Sequence, residues 1–514
     1  MAATQPTMSK PGTPPQYWLT RFVILRLLGT VYAVAFLAAV RQLPALIGSQ
    51  GLMPAAVFLQ SVREHFGSAP AAVARVPSLF WIDTSDAALQ AVAWSGLAIA
   101  CIVAAGYANA LMMAALWLLY MSIVRVGQDW YGYGWEIQLL ETGFLAIFLC
   151  PLLDGRPFPR REPPRAIVAL MRWLIFRIML GAGLIKLRGD PVWRDLTALD
   201  YHFETQPLPN PLSRWFHFLP RPALRAGVAF NHLAELVAPW LMWIGGRARY
   251  LAGVVIVAFQ LTLILSGNLS FLNWLTIVPA LACFDDAFWR RLLPAPLVRR
   301  SMAAQERAEP SVAMRRASLA VTALVVVLSL PPAFNMLSAS QIMNTSFDPL
   351  ALVNTYGAFG TVGKVRMNVI FEGTHAVVPD ERALWQPYRY VALPVDVDRM
   401  PPLVAPYQPR LDWQMWFASM SRAEDYPWTL HLVWKLLHGD EGALSLFAEN
   451  PFPNGPPRFI RATQYRYEFA DPDDEQGRWW NRERVRTWLP PLAKDDPRLQ
   501  RALEHLGFLG KAPD

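Results

Sequence analysis

AIVALMRWLIFRIMLGAGLIKL, residues 166–187, decides how the chain is read. As a helix it would be about 30 Å long, the thickness of a bilayer's hydrocarbon core, and a spanning helix needs about 20 apolar residues. Its charges are Arg172, Arg177 and Lys186. Eight further stretches carry the same pattern, at 22–43, 87–105, 108–125, 135–153, 226–244, 249–266, 268–285 and 317–335. Only Gly267 separates 249–266 from 268–285, so those two predict a tight hairpin, with one long re-entrant element as the alternative.

Composition agrees. Of 514 residues, 54% are hydrophobic and 17% charged, against roughly 25% charged in soluble domains. The apolar blocks fall before residue 340, and 341–514 reads as ordinary soluble protein. The expected fold is a polytopic α-helical membrane protein of about nine spans with a C-terminal α+β extramembrane domain. Residues 1–16 form a disordered tail. The transmembrane domain is 17–340, with interfacial loops at 44–86 and 188–225, and the extracytoplasmic domain is 341–514. No cleaved signal peptide is expected.

The arginines set a direction. The loop 154–165 carries Arg156, Arg160, Arg161 and Arg165, and 286–316 carries Arg290, Arg291, Arg299, Arg300, Arg307, Arg315 and Arg316. Both belong on the cytoplasmic side. Four spans separate them, so they share a side, and the C-terminal domain lies opposite. The net charge of +8 shows no basic stripe with interleaved aromatics, which argues against nucleic acid as a partner. Arginine far outnumbers the six lysines, the bias of a GC-rich, bacterial genome. Cys101, Cys150 and Cys283 lie in apolar blocks and have no metal spacing; neither a disulfide scaffold nor a metal site is expected.

In the C-terminal domain, 365–372 and 459–469 alternate as strands. Segments 409–421, 427–438, 440–448, 481–488 and 496–507 read as helices. Eight tryptophans (385, 413, 416, 428, 434, 479, 480, 488) build a core or dock on the bilayer.

Polar groups inside spanning helices are functional candidates, and here they gather at one depth. Glu136 and Glu141 lie in the outer half of 135–153, Lys186 at the outer end of 166–187, and Asn231, His232 and Glu235 at the outer start of 226–244. Gln42, Asn268 and Asn273 share that level. Lys186 beside three glutamates predicts an ion-paired network, and Lys186, Glu141, His232 and Glu235 are the candidates for any chemistry. The alternative is a packed polar cluster that only fixes the helices. QDWYGYGWE (128–136) reads as a binding loop or an aromatic interface belt. No cofactor motif is present.

These stretches together resemble the lipase maturation factor family along nearly the whole chain. The resemblance is carried by RLLGTVYAVAFLAAVRQLPALIGSQGLMP (26–54), GWEIQLLETGFLAIFLCP (134–151), 172–220, FNHLAELVAPW (230–240), GNLSFLNWLTI (267–277), FEGT (371–374), VAPYQPRLDWQMWFA (404–418) and NPFP (450–453). It implies a membrane-bound folding factor for exported proteins, with a lipase as the client and membrane lipid as the other partner. It also implies an endoplasmic reticulum location in a eukaryote, or a plasma membrane with a periplasmic domain in a bacterium. A client surface is then expected in 406–416, through Pro406, Arg410, Asp412, Trp413 and Trp416, with a core role as the alternative for both tryptophans. A shorter stretch, AGLIKL with Trp193 (182–193), is similar to the vitamin K-dependent gamma-carboxylase and its relatives. There the lysine matching Lys186 is linked to a catalytic base, although nearby acids oppose the loss of its proton.

Overall fold

A computed structural model of the protein describes residues 15–509. The expected tail at 1–16 lies almost wholly outside the described residues. Each of the nine apolar segments is helical: Trp18–Ile47, Asp86–Ala105, Ala110–Val126, Gly134–Leu149, Arg165–Gly189, the run Arg221–His232 to Ala238–Ile244, Gly246–Ser266, Leu272–Cys283 and Val312–Leu337. Five are long and apolar enough to cross a membrane: Trp18–Ile47, Asp86–Ala105, Arg165–Gly189, Gly246–Ser266 and Val312–Leu337. The others are shortened by local chemistry. Gly127 ends one helix and Cys150 with Pro151 another, and the turn Gly267–Phe271 delays Leu272–Ala280. That turn also folds the last two segments of 249–285 back on each other as a hairpin. The sixth segment contains a π-helical turn at Leu233–Val237.

Leu251, Val254, Leu261 and Leu265 on Gly246–Ser266, with Leu319, Val326 and Val327 on the last helix, face outward. An apolar stripe with no protein against it belongs in hydrocarbon. The loop 44–86 contains helices Ala55–Phe66 and Ala69–Arg75, and 188–225 contains short helices at Pro191–Arg194, Leu199–Thr205 and Ser213–His217.

The C-terminal region holds an antiparallel sheet of order β2-β1-β3-β4, with β1 Arg366–Thr374, β2 Gln386–Pro387, β3 Phe459–Phe469 and β4 Trp480–Ala493. Helices Arg410–Ala418, Trp428–Leu437 and Pro497–His505 lie close to their expected positions. Residues 481–488 correct the helical expectation, because they form most of β4. NRERVRTW has no apolar stripe of helical period, and pairing with β3 decides its state. Trp413, Trp428, Trp480 and Trp488 are buried, and Trp385, Trp416, Trp434 and Trp479 half-buried. Buried side chains from the membrane helices and from the C-terminal region belong to one continuous core cluster.

Candidate functional site

Glu136 and Glu141 sit where the C-terminal region is built into the helices, whereas Lys186 pairs within the helical domain. The expected single network is instead three separate charged pairs, of which two seat segments of the C-terminal region and the third joins two helices.

Glu136, in the first turn of Gly134–Leu149, accepts from Arg410 Nη1 at 2.9 Å and from the Tyr120 hydroxyl. Both charged side chains are fully buried. Arg410 also donates to the carbonyl of Trp130, and its guanidinium lies 3.4 Å from the Tyr131 ring centroid. Gln42 receives the same segment. Its Oε1 accepts from Arg410 N at 2.9 Å, and its Nε2 donates to Gln408 O at 2.8 Å. Around them Trp130 packs on Trp428 (4.8 Å) and Trp135 on Trp413 (4.8 Å). QDWYGYGWE is therefore the receptor for PYQPRLDWQMW, and most of both stretches is buried.

Glu141 pairs with Arg177, and both are buried. The other Glu141 oxygen accepts from Asn354 N (3.0 Å), Asn354 Nδ2 (3.0 Å) and the Tyr356 hydroxyl (2.7 Å), while Arg177 Nη1 donates to Asn354 O at 2.6 Å. Residues 351–356 are thus threaded among the membrane helices. Glycines line the channel that continues to residue 360: a Cβ on Gly181 would lie 2.6 Å from Tyr356 O, and one on Gly189 closer still to Gly360 O.

Lys186 Nζ donates to Glu235 (2.6 Å) and Asn231 (2.9 Å) and lies 4.8 Å from the Trp193 ring centroid. The π-helical turn puts Glu235 on the buried side, and Asn231 Nδ2 donates to its second oxygen at 3.1 Å. His232 is half-buried, with Nε2 3.0 Å from Trp193 O. Among the described residues no hydrogen bond links Lys186 to Glu136 or Glu141. Its donors are committed to a structural pair, and nothing in this geometry supports Lys186 as a base.

Further contacts complete the junction, and spacing in the sequence did not reveal them. Asn268, in the hairpin turn, donates to Pro209 O (2.9 Å) and Pro402 O (2.8 Å) and accepts from the N–H groups of Val404 and Ala405 (3.0 Å each). Buried Arg366 of β1 donates to Glu204 O at 3.0 Å and Pro207 O at 2.9 Å. Burial lowers its pKa to about 9, although Glu204 opposes the shift. Trp416 donates to Thr205 O at 3.0 Å.

The expected client surface is corrected in part. Arg410, Asp412 and Trp413 are buried, and Pro406 and Trp416 half-buried, so the first three are not offered to a partner. Asp412 Oδ1 accepts from the N–H groups of Ala392 (2.6 Å) and Leu393 (2.9 Å) and fixes that loop. Burial raises its pKa to about 6, and those N–H groups oppose the rise.

Two family models match the chain: "Lipase maturation factor transmembrane domain" over residues 19–291 and "Lipase maturation factor C-terminal domain" over 352–490. Lipase maturation factor 1 of Bos taurus is 48% identical over 520 residues, covering 96% of this chain and 92% of its own length. Its Homo sapiens counterpart is 47% identical, covering 94% and 89%. Lipase maturation factor 2 of Xenopus laevis is 28% identical, covering 97% and 86%. These relatives lend no support to the carboxylase-like reading of Lys186. No solved structure matches significantly. The transmembrane match and the five long apolar helices make the chain an integral membrane protein.

Proposed function

Because this chain belongs to the lipase maturation factor family, we propose that it is a membrane-bound maturation factor that helps an exported lipase reach its active fold. The observation that carries this is near-full-length similarity, at 47–48% identity, to proteins named lipase maturation factor 1. The junction supports a holding role. It offers committed ion pairs and packed aromatics, and it joins the C-terminal module to the helical domain through one continuous core.

In the same reading all nine segments cross, with the N-terminus inside and residue 341 onward outside, facing the periplasm in a bacterium or the lumen of the endoplasmic reticulum in a eukaryote. Contacts between the arginine-rich loops support that orientation. Arg161 Nη1 donates to Glu309 O at 3.1 Å, and Glu309 N to Arg160 O at 3.0 Å. At the same end, Asp286 accepts from the N–H groups of Trp18 (3.1 Å) and Leu19 (2.8 Å).

The test is complementation: the chain is expressed with a secreted lipase in cells lacking their own maturation factor. Lipase activity per secreted mass should rise. No rise, with the chain present at normal level in the membrane, refutes the proposal.

A further inference from the structure

We propose that the open edge of β4 docks an extended segment of the client, rich in acidic and apolar residues, which adds to the sheet as a further strand. The nature of the client rests on the maturation-factor reading; the edge itself does not.

β4 lies at one end of the sheet order, and β3 is its sheet neighbour. It is 14 residues long, with a bulge at Val485 that puts Arg486, opposite Gln464, on the other face from Arg482 and Arg484. Every residue of 481–487 is exposed, whereas the facing part of β3 is largely buried. Among the described residues, no backbone group of 481–487 bonds to anything beyond β3. A strand in that state presents a row of free N–H and C=O groups, the template for strand addition. The opposite edge, β2, is only Gln386–Pro387 and contains a proline.

The side chains specify what fits. NRERVRT (481–487) carries Arg482, Arg484 and Arg486 against Glu483 alone. Each guanidinium is anchored from within. Arg484 donates to both oxygens of Glu381 (2.9 Å each), Arg482 lies 4.8 Å from the Tyr465 ring centroid, and Arg486 Nε donates to Gln464 at 2.6 Å. Arg484 already holds the Glu381 carboxylate, and Arg482 and Arg486 also donate to Val395 O and Ser421 O, so the arginines are held in place while their exposed sides give this edge a positive field for an acidic strand. The loop that supplies Glu381 also holds Val377, Val378 and Leu384 in solvent, at 76%, 62% and 76% exposure. Charge and apolar surface therefore lie side by side along a backbone template.

A second copy of the chain fits poorly. In an antiparallel pair related by a two-fold centred near Glu483, Arg482 of one copy would face Arg484 of the other. Like charges directly opposite are destabilising. The same arginines that keep the edge from pairing with itself select an acidic strand.

The test uses the full chain in lipid nanodiscs and an eight-residue peptide alternating glutamate and valine. Hydrogen exchange at 481–487 should slow by at least about tenfold at saturating peptide, less so as salt is raised. A lysine–valine peptide should give no protection. Arg482→Glu with Arg486→Glu should abolish the effect. A photo-crosslinking residue at Val485 leaves every arginine in place and should capture the peptide, and the lipase in cells. Absent protection, equal protection by the lysine peptide, or crosslinks only between copies of the chain overturn the proposal. If Val485 captures no lipase while the chain still raises lipase activity, the edge proposal fails and the maturation reading stands. If the peptide protects β4 but lipase activity never rises, the edge proposal holds and that reading fails.

Discussion

Replacing Arg410 by Met removes the cation that neutralises Glu136, and the cost depends on what remains. Both side chains are fully buried, and breaking such a pair costs about 3–5 kcal/mol because the survivor is an uncompensated charge. Glu136 keeps the Tyr120 hydroxyl, which offsets roughly 1.5 kcal/mol of this. Loss of the stacking on Tyr131 and of the bond to Trp130 O returns a similar amount. The expected loss for Arg410→Met is therefore about 4 kcal/mol, and about 3 kcal/mol for Glu136→Gln, which strands the guanidinium instead. The double variant buries neither charge and should lose only about 2 kcal/mol, leaving a coupling of about 5 kcal/mol. The assay is denaturant unfolding in nanodiscs, followed by tryptophan fluorescence and by protease cleavage within 375–385, a loop that lies outside the junction. Additive single effects, with coupling below about 0.5 kcal/mol, would refute the view that this pair seats the C-terminal module.

Three further outcomes concern the junction. Gly181→Val should displace the segment at Tyr356 and destabilise by about 1–3 kcal/mol, whereas Gly132→Ala, whose Cβ would meet nothing closer than 3.7 Å, should be tolerated; thermal midpoints compare them. Burial holds the folded-state pKa of Asp412 near 6, above its ordinary 3.8. Its favourable contribution is therefore present below the ordinary value and lost as pH rises through 6, up to about 3 kcal/mol. Asp412→Asn keeps the amide oxygen as acceptor, so its stability relative to the parent should improve from pH 5 to 7.5 in paired melts. Lys186→Ala should lower the protein level by leaving Glu235 unpaired, and Lys186→Met with Glu235→Gln should restore it; lipase activity per molecule that stays normal in the double variant separates a packing role from chemistry.

The positions of the helical segments were legible because hydropathy and length speak directly. So was β3, where alternation is strong over 459–469. That these polar residues gather at one end of the helices was also legible, because each stands near the same end of its segment. Their partners were not: Arg410 lies 274 positions from Glu136 and Asn354 213 from Glu141. One signal was present in the sequence. Three acids near a single lysine need more cations, and Arg177 within a span was already an unexplained charge. The strand at 481–487 was hidden because both of its faces are polar, so no apolar period marks it. The reading of 406–416 as a client surface rested on aromatic content, which belongs equally to a core, and Arg410 and Asp412 sit inside it because each finds buried partners.

The threading of residues 351–356 has a consequence for how the protein comes into being. Glu141 and Arg177 are synthesised long before Asn354 and Tyr356. Until those residues arrive, the bundle holds a carboxylate with most of its acceptor sites empty, beside the glycine channel at Gly181. The membrane helices therefore reach their final packing only after the chain has passed residue 356, and assembly ends at a step late in translation. A version cut at 340 would not be a smaller anchor but an unfinished bundle, of the kind that membrane quality control removes.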